Sequence, residues 1–119
     1  MKKVLIVEDD LIISEDIKIK LERQELIVCG QAMSYNEAVK IFEEECPDLV
    51  FIDIQLKGNK TGVDLGHFIN EHRRSVPFIF LTSNSDIATR ERAVQTNPSG
   101  FVNKPFVEED LIEAICQLQ

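Results

Sequence analysis

Leu49-Val50-Phe51-Ile52 is a run of four apolar residues that ends in a carboxylate, Asp53. Pro47 precedes it, and a loop carrying Gly58 and Gly62 follows. So short an apolar run, with breakers on both sides, reads as a strand buried on both faces. Three further short strand-like runs each lead into a polar residue. Val4-Leu5-Ile6-Val7 ends in Glu8-Asp9-Asp10, Phe78-Ile79-Phe80-Leu81 ends in Thr82, and Phe101-Val102-Asn103 ends in Lys104-Pro105. Strands buried on both faces belong inside a parallel sheet covered by helices on each side. In such a sheet all strands point one way, so their carboxyl ends share one edge.

The segments between these runs have helical spacing. Ile13, Ile17 and Leu21 predict a helix over 11–24. Leu26-Ile27-Val28-Cys29 reads as a further strand, stopped by Gly30. Ser34, with Glu37 three residues on, predicts a capping box before a helix with Ala38, Val39, Ile41 and Phe42 on its apolar face. A third helix is expected over 63–73, with Leu65, Phe68 and Ile69 inward. Ser83, Asn84, Ser85 and Asp86 are cap candidates for a polar, weakly amphipathic fourth helix over 86–95. The last helix is expected over 107–117, with Leu111, Ile112, Ile115 and Cys116 apolar. Five strand–helix units without a linker predict one α/β domain over 1–119, its strands joined by right-handed crossovers.

Charge narrows the functions open to such a domain. Thirteen basic against twenty-one acidic residues leave a net charge of −8, which argues against direct contact with nucleic acid, because phosphate binding needs a basic face. Lys2 and Lys3 precede an apolar run too short for a signal peptide or membrane span. Cys29, Cys46 and Cys116 match no zinc or CxxC spacing and are expected to be reduced, mostly buried thiols in the cytoplasm. His67 and His72, five apart, do not share a helix face as metal ligands would.

The chemistry is expected at the shared edge, where open α/β sheets bind ligands. Glu8, Asp9, Asp53, Thr82 and Lys104 all fall there. Three crowded carboxylates raise one another's pKa unless a cation neutralises them, and magnesium accepts a few carboxylates plus waters. Lys104 and the Thr82 hydroxyl could then hold a phosphoryl group. Each residue also has an ordinary reading. Asp53 can cap a strand, Glu8-Asp9-Asp10 can be a solvated acidic turn, Thr82 can cap a helix, and Lys104 can be a surface lysine.

Four motifs, Leu5-Ile6-Val7-Glu8-Asp9-Asp10, Phe51-Ile52-Asp53-Ile54, Leu81-Thr82-Ser83 and Gly100-Phe101-Val102-Asn103-Lys104-Pro105-Phe106, resemble the receiver domains of two-component response regulators. The resemblance spans essentially the whole chain. It implies a flavodoxin-like, doubly wound sheet of strand order 2-1-3-4-5 with five helices. It also implies that Asp53 accepts a phosphoryl group from a histidine kinase or phosphotransfer protein. Mg2+ would be held by Asp9, Asp53 and the main-chain carbonyl of Gln55, with Glu8 acting through a bound water. Thr82 and Lys104 would contact the phosphoryl oxygens, and Thr82 with Phe101 would carry the switch. The Lys104–Pro105 bond is expected to be cis. Gln55 and Asn84 would flank the path of the water that removes the phosphoryl group.

By the same resemblance the domain is not a turnover enzyme. A C-terminal output domain beyond Gln119 and a homodimer through the fourth helix, fifth strand and fifth helix are compatible with it. The chain departs from the family at Lys57, where a proline is common, in a loop one residue longer than usual. It departs again at Phe101, where tyrosine is common. Two other functions use similar frames. A phosphatase of the haloacid dehalogenase type needs a second carboxylate where Gln55 stands, and a flavin carrier would find its phosphate repelled by Glu8-Asp9-Asp10. A receiver-like protein-binding module that is never phosphorylated remains as the alternative.

Overall fold

The computed structural model describes residues 2–56, 58–73, 75–83 and 87–118. Among these residues ten elements alternate: β1 (Lys3–Val7), α1 (Leu11–Glu22), β2 (Ile27–Ala32), α2 (Tyr35–Glu45), β3 (Leu49–Asp53), α3 (Gly62–His72), β4 (Phe78–Thr82), α4 (Ile87–Val94), β5 (Gly100–Asn103) and α5 (Glu108–Cys116). The five strands form one parallel sheet in the order β2-β1-β3-β4-β5, as the resemblance implied.

Side-chain alternation along the strands divides the core in two. Val4, Ile6, Leu49, Phe51, Ile79, Leu81 and Val102 pack against Ile17 and Leu21 of α1 and Leu111 of α5. Leu5, Val7, Val50, Ile52, Phe78 and Phe80 pack against α2, α3 and Ala93 of α4. Every residue of β3 and β4 is buried, so the central strands have no wet face. None of the described helices is long and apolar enough to cross a membrane.

Several expectations need correction. Gly30 does not stop β2, which runs on to Ala32 with a register irregularity between Val4 and Leu5 of its partner. Its missing side chain instead admits α2, since a Cβ there would lie 2.6 Å from Ile41 Cγ2. The capping box on α2 is only half formed. Ser34 accepts from the Glu37 amide at 3.2 Å, but the Glu37 carboxylate takes the Met33 amide at 3.1 Å. A full box stands instead at α3, between Thr61 and Asp64.

The thiols are not mostly buried. Cys46 and Cys116 are exposed, while Cys29 on edge strand β2 is half-buried. Cys46 occupies the left-handed C-cap of α2 at φ +48°, and Cys116 falls on the outer side of α5, where Ala114 and Ile115 take the inward positions. His67 and His72 are both exposed, and His72 Nδ1 lies 2.9 Å from the Phe68 carbonyl. Asn84, Ser85 and Asp86, expected to cap the fourth helix, lie outside the described residues, as does Lys57.

Candidate functional site

The central strands assemble the site by register alone. Val7 is aligned with Ile52, so the next residues, Glu8 and Asp53, emerge side by side at the edge. They continue the alternation of Ile6 and Phe51, toward the α1/α5 side. Lys104 continues Val102 on the same side, and its amide donates to the Thr82 carbonyl at 2.8 Å. The result is an ion cluster built from three separate strand ends. Lys104 Nζ lies 2.7 Å from Glu8 Oε1 and 3.5 Å from Asp53 Oδ2. Lys104–Pro105 is cis.

Burial sets the electrostatics. Glu8 is 1% exposed and Asp53 is 6% exposed. Removal from water, then the hydrogen bond with Asp53, push the Glu8 carboxyl up to about 7, against the pull of Lys104. For Lys104, burial works against the charge, but the hydrogen bond to Glu8 and the Asp53 charge outweigh it, and its pKa rises. Lys104 thus keeps its proton throughout the range in which Glu8 titrates. The proton that moves near neutrality is the carboxyl's.

The acidic triplet divides its work. Asp10 caps α1, accepting from the Ile12 amide at 2.9 Å and the Ile13 amide at 3.3 Å. Glu8 and Asp9 remain with Asp53, and one carboxylate oxygen from each lies within 4.8 Å of the other two. Asp9 Oδ2 is buried with no hydrogen-bond partner among the described residues. A buried acceptor without a donor is costly, and this one stands beside two further carboxylates. The donor set is all hard oxygen, which suits magnesium and does not suit a metal that prefers nitrogen or sulfur.

The other expected site residues are less directly engaged. The Gln55 amide donates to Asp53 Oδ1 at 3.0 Å, while the residue itself is exposed. The amide, not the carbonyl, is what ties Gln55 to the carboxylate here. Thr82 is 3% exposed, and its hydroxyl donates to the Ser83 carbonyl at 2.9 Å. It continues the Phe78/Phe80 face, opposite to that of Asp53. Phe101 is half-buried on that same face, its ring 5.8 Å from that of Phe80. Asn84 lies outside the described residues.

Gly62, expected in the loop, is the first residue of α3 and lies against the end of β3. A Cβ on it would run into the Asp53 carbonyl oxygen and stand 2.9 Å from both Ile52 Cγ2 and Ile54 Cα. The signal was available: Thr61 and Asp64 have capping-box spacing, and that places Gly62 inside the helix.

Known proteins resemble this chain across nearly its whole length. The family profile described as response regulator receiver domain matches residues 4–116. The transcriptional regulatory protein PdtaR of Mycobacterium tuberculosis is 33% identical over 114 residues, 96% of this chain and 55% of that protein. The sensory transduction protein LytT of Bacillus cereus is 28% identical over 116 residues, 97% of this chain and 46% of that protein. The chain therefore spans about half the length of these curated relatives. Among solved structures, the signal receiver domain of a modulated diguanylate cyclase from Desulfovibrio desulfuricans G20 superposes with a TM-score of 0.90 at 33% identity, covering 97% of this chain and 90% of the other. With a sheet of order 2-1-3-4-5, an acidic cluster at the β1/β3 edge and a family profile over residues 4–116, this chain belongs to the response regulator receiver domains of two-component signalling.

Proposed function

We propose that Asp53 accepts a phosphoryl group from a histidine kinase or phosphotransfer protein, that Mg2+ is required, and that the modified domain switches an output surface. The observation that supports this best is the buried Asp9 oxygen, without a partner among the described residues, beside Glu8 and Asp53. Asp9, Asp53 and the Gln55 carbonyl would hold the ion, with Glu8 reaching it through water. The cation would supply charge neutralisation for the transferring group.

The chain's own residues do the rest. An Asp53 oxygen replaces the donor's histidine nitrogen on phosphorus. Gln55, by its amide, and Lys104, by its ammonium, fix the two Asp53 oxygens beforehand. Lys104 is then within reach of the new anionic oxygens. The reading is of a signalling domain that assists its own modification, not of a turnover enzyme. Where a phosphatase would need a second carboxylate stands the uncharged amide of Gln55.

A protein donor is favoured by the surroundings of the site. Ile13, Asp16, Lys104, Pro105 and Phe106 line a notch of about 330 Å³ beside it. Leu11, Ile12 and Val107 are exposed. An apolar rim around a charged centre suits a docking protein better than a free small molecule. Since the chain matches about half the length of these curated relatives, an output domain outside this chain belongs to the same reading. So do a homodimer through α4, β5 and α5, and a cytoplasmic setting.

Acetyl phosphate or phosphoramidate with Mg2+ should add one hydroxylamine-labile phosphoryl group, and Asp53→Asn should abolish it. Labelling of that variant at the wild-type level would refute the assignment. A wild-type chain that takes no label would favour the module that is never phosphorylated.

A further inference from the structure

The far side of the Thr82 face carries a contact that the site chemistry does not use. Thr82 is aligned with Asn103, and Phe80 with Phe101. All four side chains therefore share the α4 side of the sheet. Phe80 covers part of the Phe101 ring from the core. Arg90 of α4 covers the ring as well, its guanidinium carbon 4.4 Å from the centroid, and reaches Asn103 Oδ1 at 3.5 Å. One side chain of α4 thus spans both residues of β5 that stand beside Thr82.

Little else of α4 is buried. Of its eight residues only Thr89 and Ala93 are, while Ile87 is 74% exposed. A helix held by so few apolar contacts opens or shifts at low cost, so a single polar clasp has a large share in positioning it. Arg92, the next arginine, is spent within the helix on the Thr89 hydroxyl at 3.2 Å.

We infer that Arg90 is a latch on Phe101: it clasps the ring and Asn103, holds α4 against β5, and weights the domain against its phosphorylated arrangement. The inference rests on the proposed phosphorylation and on the switch that the family resemblance implies, in which Thr82 moves toward the phosphoryl group and the Phe101 ring fills the space it leaves. Turning the ring inward toward Thr82 takes its face away from the guanidinium, so the latch opposes that motion. A cation–π contact at a half-exposed site corresponds to about a two- to fivefold change in the ratio of two arrangements. By linkage, the same factor appears in the affinity for whatever favours the switched state.

The test compares wild type with Arg90→Met, Arg90→Lys and, as a control of equal charge on the same helix, Arg92→Met. Without ligand, Arg90→Met should move the Phe101 ring resonances and the α4 and β5 amides, Arg90→Lys should move them less, and Arg92→Met should leave the ring unmoved. Beryllium fluoride with magnesium then serves as a phosphoryl stand-in. Arg90→Met should lower its titration midpoint about two- to fivefold, and the ligand-free shifts of the variant should lie on the line between the wild-type free and bound positions. Mere loosening of α4 would raise the midpoint or leave it alone, and either result overturns the latch, as does a Phe101 ring that Arg90→Met does not disturb. A wild type that fails to bind beryllium fluoride overturns the phosphorylation reading instead, and with it the link between latch and switch. The ligand-free comparison still decides whether Arg90 restrains the ring.

Discussion

Glu8→Gln should change the pH dependence of stability in the metal-free protein. Glu8 is 1% exposed, and burial, then its bond with Asp53, lift its carboxyl from 4.5 to about 7. The folded value lies above the unfolded one, so between pH 4.5 and about 7 the folded state holds a proton that the unfolded state has lost. The contribution is fully present below pH 4.5 and is lost as pH rises through about 7. The rise corresponds to about 3 kcal/mol, a large part of the ~5–15 kcal/mol that stabilises a domain. Glutamine stays neutral in both states and carries no such dependence.

The two proteins should therefore have similar stability near pH 4.5, and the variant should gain on wild type by about 3 kcal/mol toward pH 8. The assay is urea unfolding in EDTA at intervals of pH, with the m-value checked for constancy. The carbonyl oxygen of glutamine can still accept from Lys104, and the change of the difference with pH is the diagnostic. Saturating magnesium should erase most of it, because the charged carboxylates are then compensated. A difference constant to within about 0.5 kcal/mol across the range, small enough for an ordinary surface substitution, would refute the argument.

Two further outcomes follow from the site. Asp9→Asn should weaken Mg2+ binding more than Glu8→Gln, because Asp9 holds the unpartnered oxygen. A unit charge at 4 Å is worth ~4 kcal/mol at an effective dielectric of 20, so calorimetric titration should show at least about a tenfold loss; equal losses from both variants would contradict the assignment of Asp9 as the direct ligand. Gly62→Ala should cost about 2–3 kcal/mol by overpacking against β3 and shift the Asp53 and Ile54 amides, whereas Gly100→Ala, with none of the described residues within 4 Å of its Cβ, should cost far less; similar costs from both would contradict the close-approach argument.

The residues themselves made most of the fold legible. β3 runs as expected and β1 and β4 differ only by an end residue, because so short an uninterrupted apolar run between breakers fits a strand covered on both faces. Gly30 misled because its reason is not local: it makes room for Ile41 on a neighbouring helix. The cysteines misled for a similar cause. Apolar character predicts burial on average, but Cys46 was claimed by a left-handed cap and Cys116 by the outer side of α5.

Sequence alone determined that an acidic, five-unit α/β chain would bring Glu8, Asp9, Asp53, Thr82 and Lys104 to one edge. That follows from parallel strands sharing a direction, and it needs no distances. Only the tertiary structure decided which of those residues meet. Register set Glu8 beside Asp53 and left Thr82 on the opposite face with Phe101. Capping took Asp10 away from the acidic triplet. The fold of α4 brought Arg90 over Phe101. Pairing, capping and ring contact depend on the positions of residues far apart in the chain, and a linear pattern records only which side chains are available to make them.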